Sequence, residues 1–269
     1  MGGGHRRVSC GRFPELTERR CGLPARQPPR EAPEDPELEG AGAVTRRRFV
    51  IGAGSAAVAA GAGTLAVGCG EALPPLSVRA VSALPQPRHT GEVSLERVLS
   101  ARRSHREFTT QSLTEREISE LLCAAQGITA DWGGRTAPSA GGIYPLELYL
   151  LTPDAYRHYV PEGHRVELLA NQDLRAELAA AALNQSAVRT APLTVVITAV
   201  YARKEYGARG RRYVELEAGH VAQNVLLQAV AHGLAAVPIG AFDDHRLTHA
   251  LRLPADRAPL YIVAVAHAR

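Results

Sequence analysis

The amino-acid sequence predicts an α+β domain over residues 92–269. Helical and strand patterns alternate irregularly there, and no Gly-x-Gly-x-x-Gly motif follows a first strand. Both observations argue against a doubly wound dinucleotide-binding fold, in which strands and helices alternate regularly and glycines cradle a pyrophosphate. The segment has about 180 residues and no evident internal repeat, which is enough for one domain with a full core.

Helix predictions rest on capping residues and on apolar residues at helical spacing. Ser94 can cap a short helix, while Thr114 and Glu117 form a capping box before a second helix that Gly127 can end. The same patterns predict later helices over residues 173–183, 214–232 and 244–251.

Strand predictions rest on short apolar runs. Residues 146–151 leave a Gly/Pro turn as a strand, and residues 193–200 form the continuous apolar run that is typical of a central strand. Residues 165–168 are predicted to form a short edge strand. Two further strands are predicted over residues 236–239 and 260–265.

Composition excludes several classes of function. The chain has 31 basic and 27 acidic residues, but 10 of the basic and 7 of the acidic ones fall in residues 1–69. The remainder is almost neutral and predicts no nucleic-acid partner. Of the four cysteines only Cys123 lies in the body of the chain, which excludes a disulfide framework. The histidines show no ligand-like spacing, so no metal site is predicted.

The N-terminal part carries targeting patterns and no fold. Residues 1–43 lack apolar periodicity and are predicted to be a disordered extension or the product of a mis-assigned start. Residues 44–69 contain Arg46 and Arg47 before Phe49 and a Gly/Ala-rich run, which looks like a twin-arginine export signal. The alternative is a transmembrane anchor, which the weak hydrophobicity of Gly and Ala disfavours.

The export signal has consequences for location. Cys69 ends the apolar run in a sequence that resembles a lipoprotein processing box, so we expect a protein of the periplasm or the outer face of the cell membrane. A lipid on Cys69 would be its one contact with the membrane. Residues 70–91 contain four prolines and are predicted to be a semi-rigid tether.

Three separated segments carry candidate chemistry. Arg102, Arg103, Ser104 and Arg106 place guanidinium groups on both sides of a hydroxyl, which suits a phosphate monoester because each guanidinium can donate paired hydrogen bonds. A solvated basic helix end is the alternative. The small residues of 138–141 and the backbone turn at 238–240 let a flat ring lie against the main chain, although ordinary turns would need no more.

In this order and spacing, the three segments resemble the FMN-dependent nitroreductase superfamily. Residues 138–151 (PSAGGIYPLELYLL) and 216–229 (LEAGHVAQNVLLQA) are the most specific parts, and they are similar to the SagB-type, azoline-oxidising dehydrogenase branch. The resemblance implies an α+β sandwich with a mostly antiparallel central sheet flanked by helices. It also implies an intertwined homodimer that binds FMN at the subunit interface.

The resemblance assigns roles to particular residues. Azoline-oxidising members have a Lys-Tyr pair before the long helix that handles the substrate proton, which makes Lys204 and Tyr206 the catalytic candidates, although Lys204 also fits a chance surface lysine. The residues that the resemblance places around FMN are Arg102, Arg103, Ser104, Arg106 and Arg269 at the phosphate, Pro138, Ser139, Ala140 and Gly141 along the flavin, with the partner subunit as one source, and Pro238, Ile239 and Gly240 beside the ring.

The activity implied is that of an exported FMN-dependent oxidoreductase. Flavin N5 would pass a hydride from or to a small organic molecule or a peptide. Two alternatives stay open. One is an NAD(P)H-dependent nitro- or quinone reductase, and the other is a non-catalytic protein that binds flavin or another ligand on the same fold.

Overall fold

The domain is built around a seven-stranded sheet. The computed structural model describes residues 74–203 and 206–269. In chain order the strands are β1 (Ala80–Ala83), β2 (Leu146–Leu151), β3 (Tyr156–Val160), β4 (Arg165–Ala170), β5 (Leu193–Ala199), β6 (Leu234–Ile239) and β7 (Ala258–His267). Across the sheet their order is β1-β4-β3-β2-β5-β7-β6. Every neighbouring pair is antiparallel.

The described part of the chain also contains six α-helices. They are α1 (Leu95–Ala101), α2 (Glu115–Gln126), α3 (Arg175–Ala181), α4 (Ser186–Thr190), α5 (Gly210–Ala231) and α6 (Asp244–Ala250). The predicted caps are confirmed: the Ser94 hydroxyl accepts the Arg97 N–H at 3.3 Å, and Thr114 and Glu117 form a reciprocal capping box. Each cap satisfies backbone groups that a helix end would leave without partners.

Helices cover both faces of the sheet. On β2, Leu148 and Leu150 pack in the core that α2 and α5 share, whereas Tyr149 and Leu151 pack in the core that α3, α4 and α6 share. This alternation follows from the two-residue repeat of a strand. Strand β5 is buried along its whole length, as its continuous apolar sequence predicts. The predicted α+β class, with a central antiparallel sheet between helices, is confirmed.

The order of strands at one edge differs from the prediction. The predicted strand over residues 165–168 is confirmed as β4, but its predicted edge position is wrong, because β4 lies between β1 and β3. Strand β1 forms the outer edge, and all four of its residues are exposed, so its sequence shows no apolar alternation. Strand β3 and helix α4 are also missing from the prediction. In β3, half-buried Arg157 and His158 separate the buried rings of Tyr156 and Tyr159, which obscures the strand pattern.

The segment that follows β1 is fastened to the domain. Arg88 Nε donates to Glu120 Oε1 at 2.9 Å, and the Ser119 hydroxyl donates to the Pro85 carbonyl oxygen at 2.5 Å. His164 Nε2 lies 2.8 Å from the same Ser119 oxygen. The part of residues 70–91 that the structure describes therefore includes a strand and polar anchors as well as the prolines expected of a tether.

Several sequence predictions concern residues outside the described ranges. These are the extension over residues 1–43, the export signal over residues 44–69 with Cys69, and the catalytic candidate Lys204. Among the described residues, no helix has both the length and the apolar character needed to cross a bilayer.

Candidate functional site

The first and third candidate segments lie side by side. Ser104 forms a parallel bridge with Ala236 of β6, and the His105 N–H donates to the Ala236 carbonyl oxygen at 3.0 Å. The chain then forms an antiparallel bridge between Phe108 and Ala268, one residue before Arg269. The segment 102–106, the strand that carries residues 238–240 and the C-terminal residue are thus brought to one edge of the sheet.

The arginines at this edge differ in what they contact. Arg103 is turned back on its own helix, where Nη1 donates to the carbonyl oxygens of Ser100 and Arg102 at 3.0 and 2.8 Å. Within the described ranges, the guanidinium groups of Arg102, Arg106 and Arg269 form no hydrogen bond or ion pair. Arg102 is half-buried, whereas Arg106 and Arg269 are exposed. The Ser104 hydroxyl and the three unpaired arginines are therefore available to bind an anion. Arg103 is less suited to this role because backbone oxygens already accept its hydrogen bonds.

The end of β6 provides the backbone next to this edge. Pro238 and Ile239 pair with Val263 and Ile262 of β7, and Ile239 is buried while Gly240 is exposed. A Cβ atom at Gly240 would lie 3.8 Å from the Tyr261 ring, which is an ordinary contact. Because Gly240 has no side chain, the main chain there is accessible to a ligand. Local crowding does not require a glycine at this position.

The second segment lies elsewhere in the same chain. Residues 138–141 precede β2, which begins at the same end of the sheet at which β6 ends. Strands β5 and β7 separate β2 from β6, and three steps of about 4.8 Å place the two strands roughly 14 Å apart. One copy of the chain therefore unites two of the three candidate segments and leaves the third across the sheet.

Tyr206 belongs with this second segment. A Cβ atom added to Gly141 would lie 2.8 Å from the Tyr206 hydroxyl oxygen, so the hydroxyl lies directly against the glycine, where a larger residue would clash with it. Gly141 has a φ of +67°, a conformation that other residues rarely adopt. The Tyr206 ring also packs edge-on against Tyr213 with centroids 5.3 Å apart. A small crevice lies here, with Ser139, Ala140, Tyr206, Tyr213 and Glu217 among its lining residues.

A partly buried charge cluster includes Arg203, the residue just before Lys204. Glu147 of β2 accepts from His158 Nε2 at 2.8 Å and pairs with Arg203 Nη1 at 2.7 Å. His158 Nδ1 lies 3.1 Å from Glu167 Oε2. Arg257 Nη2 approaches Glu147 at 3.9 Å. The sequence did not reveal this cluster because its five members come from five separate segments, which only the tertiary structure brings together.

The cluster shifts two pKa values in opposite directions. Burial opposes the charged form of His158, but its hydrogen bonds to Glu147 and Glu167 and their charges outweigh burial and raise its pKa. Burial also opposes the charge of Glu147. The hydrogen bond from His158 and the charges of His158, Arg203 and Arg257 outweigh that effect and lower the pKa of Glu147. Both groups are thus stabilised in their ionised forms.

The sign of each shift fixes the pH dependence of stability. His158 stabilises the fold fully below its unfolded pKa of about 6.5, and this contribution is lost as the pH rises through the higher folded value. Glu147 stabilises the fold above its unfolded pKa of about 4.3, and this contribution is lost as the pH falls through the lower folded value. The cluster therefore stabilises the fold most between roughly pH 4.3 and 6.5.

We expect His158→Gln to lower the free energy of unfolding at about pH 6 by roughly 1.5–3 kcal/mol, the usual contribution of a hydrogen bond to a charged group. The difference from the wild type should shrink as the pH rises through the folded pKa of His158, because the wild-type imidazole then loses its charge. Urea denaturation over this pH range measures both quantities. His89→Gln is the control, since His89 is exposed. A deficit that does not change with pH would contradict the charge assignment.

The described residues contain no group of three or more His, Cys, Asp or Glu side chains placed to hold a metal ion.

One residue of the crevice, Glu217, is a functional candidate that the sequence predictions do not include. It is 3% exposed and lies on α5 among the buried Val214, Ala218 and Val221. The signal that could have identified Glu217 from the sequence is a charged residue among the buried apolar positions of a helix.

The fold places the protein in the α+β class, with one antiparallel sheet between two helical layers and a cationic edge beside β6. The Nitroreductase family model matches residues 99–267, more than half of the chain. The chain therefore belongs to the nitroreductase family of oxidoreductases.

Similar proteins agree with this placement. A provisionally named nitroreductase of Methanocaldococcus jannaschii is 44% identical over 171 residues, which cover 60% of this chain and 86% of that protein. The crystal structure of a provisionally named nitroreductase from Ralstonia eutropha is 30% identical with a TM-score of 0.63, covering 73% of this chain and 95% of the other. The NADPH:FMN oxidoreductase of Vibrio harveyi, solved with NAD+, is 23% identical with a TM-score of 0.51 over 64% of this chain and 68% of its own, and shares the fold.

Proposed function

We propose that the protein is an FMN-dependent oxidoreductase. The observation that carries the proposal is the set of unpaired donors beside β6. The guanidinium groups of Arg102 and Arg106 and the Ser104 hydroxyl have no partner in the described ranges, yet the backbone next to them is fixed by the bridge between Ser104 and Ala236. Positioned, unpaired donors suit a phosphate monoester, which is the anionic end of FMN.

The proposed roles follow from the positions of the residues. When bound, FMN supplies hydride transfer at N5. Arg102, Ser104 and Arg106 would hold its phosphate, and the cations would favour the negative charge of the reduced ring. The exposed backbone at Gly240 would lie beside the ring. Tyr206, whose hydroxyl is seated on Gly141, would move the substrate proton.

A second copy of the chain would complete this site. Residues 138–141 precede β2, which lies roughly 14 Å across the sheet from β6, so a copy that brings its own loop to this edge would unite the three segments. Helix α5 offers a contact face, since Leu216 is 54% exposed and a Cβ atom at Gly219 would have no neighbour within 4 Å. An FMN-loaded protein that sediments as a monomer would contradict this arrangement.

The Arg106→Ala variant tests cofactor binding. Because hydrogen bonds to charged groups contribute roughly 1.5–3 kcal/mol, we expect the affinity for FMN to fall about ten- to a hundredfold. Riboflavin lacks the phosphate and should bind the wild type and the variant almost equally. Quenching of flavin fluorescence during titration measures both ligands.

A matched control is Arg103→Ala, which removes a cation from the same segment. Arg103 already donates to Ser100 and Arg102 backbone oxygens, so FMN affinity should change much less. Equal FMN affinity in wild type and Arg106→Ala would show that the basic segment is a solvated surface. A wild type that binds no flavin would favour a non-catalytic protein on the same fold.

We propose further that the substrate is a small organic molecule or a peptide, oxidised in the manner of the SagB-type branch. Support comes from the residues 138–151 and 216–229 that resemble this branch and from the position of Tyr206 beside that loop. Rapid reduction of the bound flavin by NAD(P)H would instead favour a nitro- or quinone reductase.

The proposed location is outside the cytoplasm. Support comes from Arg46 and Arg47 before the Gly/Ala-rich run and from Cys69 at its end. The twin-arginine route carries folded proteins, which suits an enzyme that takes up its cofactor before export. A lipid on Cys69 would then hold the protein at the outer face of the cell membrane.

A further inference from the structure

A ring of neighbouring residues surrounds the loop of residues 138–144. Arg135 Nη1 donates to Gln126 Oε1 at 3.0 Å, and Gln126 Nε2 donates to Glu217 Oε1 at 3.5 Å. Ser139 and Glu217 line the same crevice, and the Ser139 hydroxyl oxygen accepts the Tyr144 N–H at 2.9 Å. The Arg135 N–H donates to the Tyr144 hydroxyl at 3.0 Å, and its guanidinium carbon lies 4.6 Å from the centroid of that ring.

The loop inside this ring has a strained backbone. Tyr144 has a φ of 51°, in the left-handed region that residues with a side chain rarely adopt. Such a conformation persists only where surrounding contacts hold it. Ser139 holds the main-chain N–H of Tyr144, and Arg135 holds its hydroxyl and its ring. The same loop contains Gly141, on which the Tyr206 hydroxyl is seated.

Packing alone does not explain why a glutamate occupies position 217 in this group of residues. It is 3% exposed, and burial raises its pKa against the opposing effects of Ser139, Gln126 and the charge of Arg135. A buried ionisable group is often replaceable by an apolar residue without loss of stability. Its position next to Ser139 and Gln126 therefore indicates that its oxygen atoms are needed as hydrogen-bond acceptors.

We propose that Glu217 is a positioning residue of the flavin site. By accepting from Gln126, which in turn accepts from Arg135, it fixes the group that contacts Tyr144 and thereby the conformation of residues 138–144, where Gly141 lies against the Tyr206 hydroxyl. The inference rests on the proposed function in one respect, since that function makes this loop a wall of the flavin pocket. Without the carboxyl group, Gln126 Nε2 loses its acceptor, the contacts from Gln126 through Arg135 to Tyr144 loosen, and Tyr144 is free to leave the left-handed region.

Amide hydrogen exchange of the full chain without flavin tests the proposal. Glu217→Ala should speed exchange of the Tyr144 amide about five- to tenfold, the effect of losing one hydrogen bond. Ser139→Ala should do the same. Glu217→Gln keeps an acceptor oxygen and should exchange like the wild type. Amides of β5 should not change in any variant, which separates a local effect from lower global stability.

Glu215→Gln is the matched control, because Glu215 lies two positions earlier on α5, is exposed and pairs with exposed Arg211. It should change neither exchange nor flavin affinity. Unchanged Tyr144 exchange in Glu217→Ala, or equal acceleration in β5, would overturn the proposal.

A second measurement separates this proposal from the function on which it rests. If the loop lines the flavin, Glu217→Ala should also weaken FMN binding about five- to tenfold, and Glu217→Gln should restore it. A protein that shows the exchange effect but binds no FMN would keep the positioning role and refute the flavin site. Full FMN affinity together with unchanged exchange would keep the flavin site and refute the role of Glu217.

Discussion

Tyr206→Phe should slow reduction of the bound flavin by about a hundredfold or more, because the positioned phenol is lost as a group that moves the substrate proton. FMN should remain bound, since the phosphate donors beside β6 are unchanged. The contact with Gly141 is made by the hydroxyl, and the Tyr206 ring packs against Tyr213, so phenylalanine keeps the ring contact. Stopped-flow absorbance with a substrate that reduces the wild type separates flavin reduction from reoxidation.

Tyr213→Phe is the matched control for this experiment. Tyr213 lines the same crevice but is placed on α5, and its hydroxyl has no assigned role. Its removal should leave the rate of flavin reduction within about threefold of the wild type. Lys204→Ala should slow the same step if the lysine faces the flavin. Unchanged reduction in Tyr206→Phe would show that the proton passes to water or to another group.

Export should stop when Arg46 and Arg47 are both replaced by lysine. The change keeps the charge and removes the planar guanidinium pair that defines the signal. We expect the double variant to accumulate in the cytoplasm in a folded, uncleaved form. Cell fractionation followed by immunoblotting measures the distribution.

Replacing Arg48 alone with lysine is the control, because this leaves the Arg46-Arg47 pair intact. Export should then continue. Cys69→Ser separately tests the lipid anchor, and it should abolish incorporation of labelled fatty acid. Normal export of the double variant would refute the twin-arginine interpretation without affecting the flavin site.

Local features of the fold were predictable from the chain. The cap at Ser94, the capping box of Thr114 and Glu117, and the bounds of β2 agree with the structure. Each depends on residues within about four positions, because helix caps and short apolar runs are local interactions. The family was also accessible, since residues 138–151 and 216–229 preserve a recognisable order of residue types.

The other features of the fold and the site depend on pairing between distant residues and could not be predicted from the sequence. Strand β4 is interior only because β1, far earlier in the chain, pairs with it, and the exposed sequence of β1 carries no strand signal. Glu147, His158, Glu167 and Arg203 form a cluster only because β2, β3 and β4 are neighbours. Propensity cannot report such contacts, since the partners are distant in sequence and their pairing depends on the whole sheet.

The sequence by itself determined the class of the domain, the family and the residue types that suit a phosphate. Only the tertiary structure decided which of these residues share a site. It joins Ser104 to Ala236 beside β6, turns Arg103 away, and leaves residues 138–141 across the sheet with Tyr206. It also buries Glu217 in the crevice that Ser139 lines. The physical reason is that backbone pairing and burial connect residues that are remote along the chain, so no local pattern encodes them.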